Sequence, residues 1–125
     1  MPKVIDLSSS TVGFHRDGTT SVEPNRSGPP RRIDGFIVGA PMITRDPPHN
    51  GELHPDADEL LFLVSGHVDI VMEIEGREET TELQAGDACI VPRGTWHRTR
   101  RREPSQILHV TPGPGGEWRL PEGPA

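Results

Sequence analysis

Turn formers set the rhythm of this chain. Between residues 33 and 112 each apolar run is short and is closed by glycine, proline or Gly-Asp: Gly39 and Pro41, Gly51, Gly66, Gly76, Gly86-Asp87, and Pro92 to Gly94. Stops recurring at about 8–12 residues leave no room for a helical period and predict short strands, the pattern of an all-β sandwich or barrel. We expect roughly eight strands and no helix. The composition agrees, with 14 Gly, 14 Pro and only 31% hydrophobic residues. At 125 residues the chain can enclose one modest core.

Three segments follow. Residues 1–32 are polar and broken by Gly13, Gly18, Pro24, Gly28, Pro29 and Pro30. They read as an extended arm packing on the barrel or on a partner, with short edge strands at 4–7 and 20–22. Residues 33–113 form the barrel domain, and residues 114–125 a tail from which Trp118 and Leu120 dock back. Within the barrel, Leu60, Phe62 and Val64 alternate with Leu61 and Leu63, so both faces of that strand are apolar. One face needs an inner layer and the other a second cover, which predicts a homodimer by sheet packing or arm exchange. The next strand alternates Val68, Ile70, Met72 and Ile74 with more polar positions and ends at a Glu75-Gly76-Arg77 hairpin turn.

Several function classes are disfavoured. A net charge of -6 argues against nucleic acid as the general partner. The one basic run, residues 97–102, splits in a strand, with Arg98, Arg100 and Arg102 on a solvated outer face. The sequence holds no apolar run long enough for a bilayer and no secretory start, and Cys89 stands alone, so the expectation is a cytoplasmic protein without membrane association. Cys89 reads as small core filler. Gly-rich phosphate loops, nucleophile elbows and paired zinc-binding cysteines are missing as well.

Two stretches carry chemistry. Residues 52–66 place Glu52, His54 and Glu59, three potential metal ligands, before an apolar strand and Gly66. Residues 86–101 bring His97 behind a Gly-Asp turn and a Pro-Arg-Gly turn. In order and spacing these stretches resemble the two motifs of the cupin superfamily. The first runs His-x-His, a Glu, then a Gly, and is matched by Glu52-x-His54, Glu59 and Gly66. The second runs Gly, Pro-x-Gly, His and Asn, and is matched by Gly86, Pro92, Gly94, His97 and Arg101. The resemblance covers about residues 36 to 112 and looks like that of a small single-domain microbial cupin. It implies a jelly-roll β-barrel with a divalent metal held by Glu52, His54, Glu59 and His97.

The residues make physical sense of that implication. Glu52 and His54 share strand parity, Glu59 opens the following strand, and the turns aim His97 toward the same point. Two departures stand out: Glu52 replaces the first histidine and Arg101 the closing asparagine. With Glu52 ligated, two carboxylates and two imidazoles make a harder set than three histidines and favour Mn, Fe or Zn over Cu. The alternative has Glu52 solvated or bonded to a neighbour, with His49 as a substitute donor.

Arg101 shares parity with His97 and Thr99 and is a candidate to hold an anionic substrate group, against the plainer reading of a surface residue or a partner of Glu103. Phe36, Met42, Ile107 and His109 are candidates to line the cavity, each with simple core as its alternative. Trp96 has the opposite parity to His97 and is assigned to outer core or interface, and His15 and His67 to the surface. Three functions remain open. One is a metal-dependent small-molecule enzyme of dioxygenase, isomerase or cyclase type, in which the carboxylate of Glu59 moves a proton. Another is a non-catalytic metabolite binder. The third is a sugar-isomerase-like zinc enzyme.

Overall fold

A computed structural model of the chain describes residues 3–26, 31–47 and 49–119. Among the described residues twelve strands form two antiparallel sheets facing each other. One contains β1 (Ser10–His15), β2 (Thr20–Pro24), β3 (Gly35–Gly39), β4 (Met42–Ile43), β6 (Glu59–Ser65), β9 (Ala88–Val91) and β11 (Ser105–Pro112). The other contains β5 (Glu52–Leu53), β7 (His67–Ile74), β8 (Arg77–Gln84), β10 (His97–Arg101) and β12 (Glu117–Trp118). This is an all-β jelly roll. Among the described residues no helix forms, so none is long and apolar enough to cross a membrane.

Sequence alternation explains the packing between the sheets. Leu61 and Leu63 of β6, Val68, Ile70 and Met72 of β7, and Leu83, Val91 and Ile107 form one buried cluster. Each such side chain contributes about 1.5–3 kcal/mol when fully buried. The turns follow the local chemistry. Glu75 and Gly76 both take positive φ, 50° and 78°, which matches the twist of the β7–β8 hairpin. Gly66 sits at φ 92°, where an added Cβ would lie 2.2 Å from the Ser105 hydroxyl oxygen. Only glycine fits both that backbone and that approach.

The N-terminal segment departs from expectation, and the tail follows it. Residues 10–24 are a β1–β2 hairpin hydrogen-bonded to β3, and they extend the sheet instead of lying over it as an arm. Residues 4–7 form no strand, whereas residues 20–22 lie within β2. The tail does dock: Glu117 and Trp118 pair with Leu53 and Glu52. Leu120 lies outside the described residues. Arg119 clasps this end, bonding the Glu73 carboxylate and the Asn50 carbonyl (3.1 Å), with its guanidinium 4.2 Å from the Trp96 ring centre.

The outer faces of the sheets differ sharply. On the five-stranded sheet, Arg98 pairs with Glu78 (2.8 Å), while Arg100 and Arg102 both pair with the buried Asp69 (3.2 and 3.0 Å). Arg98, Arg100 and Arg102 are thus committed to carboxylates of their own sheet. On the other sheet the outward positions of β1, β3, β6, β9 and β11 carry no Asp, Glu, Lys or Arg. Phe14, Phe36, Val64 and Ile90 stand exposed there, and Leu60 and Phe62 are half-buried.

Candidate metal centre

The two chemically rich stretches meet because their backbones interlock. The Gly94 N–H donates to the His54 carbonyl (2.8 Å), and the Arg93 N–H donates to the Asp58 carboxylate (2.9 Å). The turn before β10 is thereby fixed on the loop between β5 and β6. His97 then falls opposite Glu52 in the β10–β5 register. Glu59 enters from β6 in the facing sheet, so the cluster bridges both layers.

Glu52, His54, Glu59 and His97 each offer one donor atom, all within 4.8 Å of one another. His97 Nε2 lies 2.8 Å from Glu59 Oε1 and 3.4 Å from Glu52 Oε1. His54 Nε2 lies 3.5 Å from Glu59 Oε2 and 3.6 Å from Glu52 Oε1. Donors about 2.1 Å from a shared ion stand about 3.0–3.4 Å apart, close to these separations. His54, Glu59 and His97 are buried, and the Glu52 side chain is 26% exposed.

The donor set passes a stricter test. Both ring nitrogens of His54 are buried without any hydrogen-bond partner among the described residues. A buried polar atom left unpaired costs about 1–3 kcal/mol, so a partner for Nε2 is called for between the carboxylates. A divalent cation fits that place, with the four side chains as its ligands. His97 is oriented for the same purpose, since its Nδ1 donates to the Thr95 carbonyl (3.0 Å) and Nε2 faces the cluster.

Electrostatics agree. Burial works against a charged His97, yet the hydrogen bonds and charges of Glu52 and Glu59 outweigh it and push its pKa up to about 10. Burial likewise raises Glu52, but the imidazoles of His54 and His97 overcome this and hold its carboxyl far below the usual range. Two carboxylates are gathered around a place that demands positive charge.

Beside the cluster lies a cavity of about 480 Å³, bounded by Ile37, Ile43, Leu61 and Ile107 on its apolar side and by Arg31 and Arg32 elsewhere. Arg31 is tied to Glu23 (3.1 Å) and to the Ser21 hydroxyl (2.6 Å). Glu52, His54 and Glu59 reach the cavity wall, and so do Thr99, His109 and Thr111.

Three sequence candidates do not line that cavity. Phe36 and Met42 point outward, 39% and 54% exposed, and the neighbouring Ile37 and Ile43 face inward in their place. The phase is set by Ile37 opposing Gly13 and by a bulge between Gln106 and Ile107, neither readable from two interrupted apolar runs. Arg101 ends β10 beyond the cavity wall, paired with Val68, and its backbone N–H donates to Asp46 (2.7 Å). Ile107 and His109 do line the cavity. His49 is not in the four-donor cluster; it stands 4.0 Å from Glu52, its ring centre 4.8 Å from that of Trp118 and tilted by 38°, with Nδ1 accepting the Gly51 N–H.

Two residues escaped sequence reasoning. Thr111 donates from Oγ1 to Glu59 Oε2 (2.6 Å) and also contacts His109 Nδ1 (2.7 Å). It shares parity with Ile107 and His109, and that signal was available. Gly116 passes close to the His54 ring, where an added Cβ would lie 3.3 Å from Nδ1. Nothing local in the tail announces this contact.

Comparison with known proteins decides the family. A family model described as a cupin domain matches residues 43–111, more than half of the chain and both motif stretches. The chain belongs to the cupin family. Oxalate decarboxylase from Bacillus subtilis, a protein with Mn(II) centres, superposes on this cupin with a TM-score of 0.57 at 18% identity, over 70% of this chain and 24% of that one. A cupin-2 domain protein from Shewanella frigidimarina gives 0.52 at 23% identity, over 70% and 83% of the two chains. At these identities the likeness concerns the fold. In sequence, this cupin is 40% identical over 47 residues to the uncharacterized protein YdbB of Bacillus subtilis. That match spans 38% of this chain and 39% of the relative.

Proposed function

We propose that this cupin is a metal-dependent enzyme acting on a small molecule that bears an oxygen chelating group. The observation that carries the reading is His54, buried with both nitrogens unpartnered among the described residues and aimed among two carboxylates and His97 at a cavity wall. Two carboxylates and two imidazoles suit Mn, Fe or Zn better than Cu. The ion, when bound, supplies Lewis acidity or a place for dioxygen. The chain supplies the rest. Thr111 donates to Glu59 Oε2 and orients that carboxylate, leaving Oε1 turned toward the cluster. The apolar wall favours a substrate with an apolar body and limits water around its chelating end.

Oxygenase chemistry and isomerase chemistry separate in one experiment. Protein loaded with Fe(II), Mn(II) or Zn(II) is offered catechols, diketones and sugars while dioxygen uptake and product formation are followed. Oxygen consumption with a catechol or diketone supports a dioxygenase, and redox-neutral conversion supports an isomerase or cyclase. Stoichiometric metal with no turnover of any class would leave a metabolite-binding module.

We also propose that two copies pair through the outer face of the larger sheet. A face without charges docks on its own copy with no like-charge conflict, whereas the remaining surface of this chain carries the net charge of -6. Phe14, Phe36, Val64 and Ile90 would leave water in that contact.

A further inference from the structure

We infer that His109 presents a bare ring nitrogen to the cavity and accepts a hydrogen bond there from an O–H or N–H of the bound small molecule. The assignment comes from counting hydrogens along a chain of three side chains. Thr111 has one hydroxyl hydrogen, and it is directed at Glu59 Oε2 (2.6 Å). A carboxylate acting as a metal ligand, or as the partner of His97, has no hydrogen to return. The 2.7 Å contact between Thr111 Oγ1 and His109 Nδ1 must then use a hydrogen on Nδ1. Burial pushes the His109 pKa down, and although Glu59 and Glu52 oppose this, with His54 adding to the lowering, the ring stays below its ordinary value. A neutral imidazole with Nδ1–H leaves Nε2 with a lone pair.

The position of that nitrogen makes it useful. Nε2 makes no hydrogen bond among the described residues and faces Gly39, where an added Cβ would stand 2.8 Å away. Glycine at 39 leaves room for the ring, which is half-buried and not sealed from the cavity. His109 lines both the main cavity and an adjoining recess of about 260 Å³, and Thr11 and Arg31 also border both. A ligand seated at the metal cluster would thus meet an acceptor on the β11 wall whose orientation is coupled, through Thr111, to a metal-binding carboxylate. Thr111 is a positioning residue here. The ligand half of this inference rests on the cavity being the substrate site, as proposed above, whereas the hydrogen count does not depend on it.

Nitrogen-15 NMR of histidine-labelled protein tests both halves, in metal-free and Zn(II)-loaded samples. The expected signature is a protonated Nδ1 and a pyridine-type Nε2 for His109 near neutral pH. Thr111→Val should convert it to a mixture of tautomers. The probes are tartronate and malonate, matched dicarboxylates of which only the first carries an extra hydroxyl donor. Tartronate should shift the Nε2 signal upfield and bind about fivefold more tightly than malonate, the worth of about one hydrogen bond. An Nε2–H tautomer or an imidazolium in the metal-free protein would overturn the inference, and so would identical responses to the two probes in both samples. Failure to load Zn(II) would instead count against the metal reading, and the metal-free tautomer would still decide His109.

Discussion

Metal binding to this cupin should expel a proton, and pH should govern its affinity. Without an ion, the proton on His97 supplies the positive charge that Glu52 and Glu59 demand, which pushes its pKa up to about 10. Ligation needs the Nε2 lone pair, so the proton must leave. Near pH 7, about three units below that value, displacing it costs about 4 kcal/mol, or about a thousandfold in apparent affinity. The sign is fixed: the group is protonated below its raised pKa, so affinity rises with pH, by about tenfold per unit, until the pKa is reached. Titration calorimetry with Zn(II) in two buffers of different ionisation heat counts the protons, and near neutral pH about one should appear per ion. Glu52→Gln removes one of the two carboxylates and should lower the pH at which the dependence levels off. Binding with no proton release, or with affinity flat between about pH 6 and 8, would refute this reasoning.

Other consequences are more local. Gly116→Val places atoms against the His54 ring, only 3.3 Å from the Cβ position, and should weaken metal binding by about 10–100-fold while the urea midpoint changes little. Leu63→Ala empties a fully buried site in the central cluster and should cost about 2–5 kcal/mol by urea denaturation. Ile90→Lys puts a charge into the neutral outer face; light scattering should move from about twice 13.7 kDa to the single-chain mass. A single-chain mass for the unaltered protein at micromolar concentration would defeat the pairing proposal.

Much of the site was legible because its signals are local. Gly66 and the Pro92 to Gly94 turn announce strand ends, and two-residue parity places Glu52 with His54 on one face. The alternation of Leu61 and Leu63 likewise predicts their burial, and the structure shows it. What stayed hidden depends on pairing between distant segments. Phase is lost across Gly39 to Pro41, so the sequence points to Phe36 and Met42 as inward residues whereas Ile37 and Ile43 face the cavity. The β1–β2 hairpin is polar on one face and glycine-interrupted, and only its pairing with β3 makes it part of the sheet. Arg119 and Gly116 matter through contacts with Glu73 and His54, far away in sequence, which no periodicity reports.

Elemental analysis of protein purified without chelators tests the four-ligand centre most directly. Close to one equivalent of Mn, Fe or Zn per chain is expected, and its loss in His54→Ala. Less than about a tenth of an equivalent, even after incubation with each of the three metals, would contradict it.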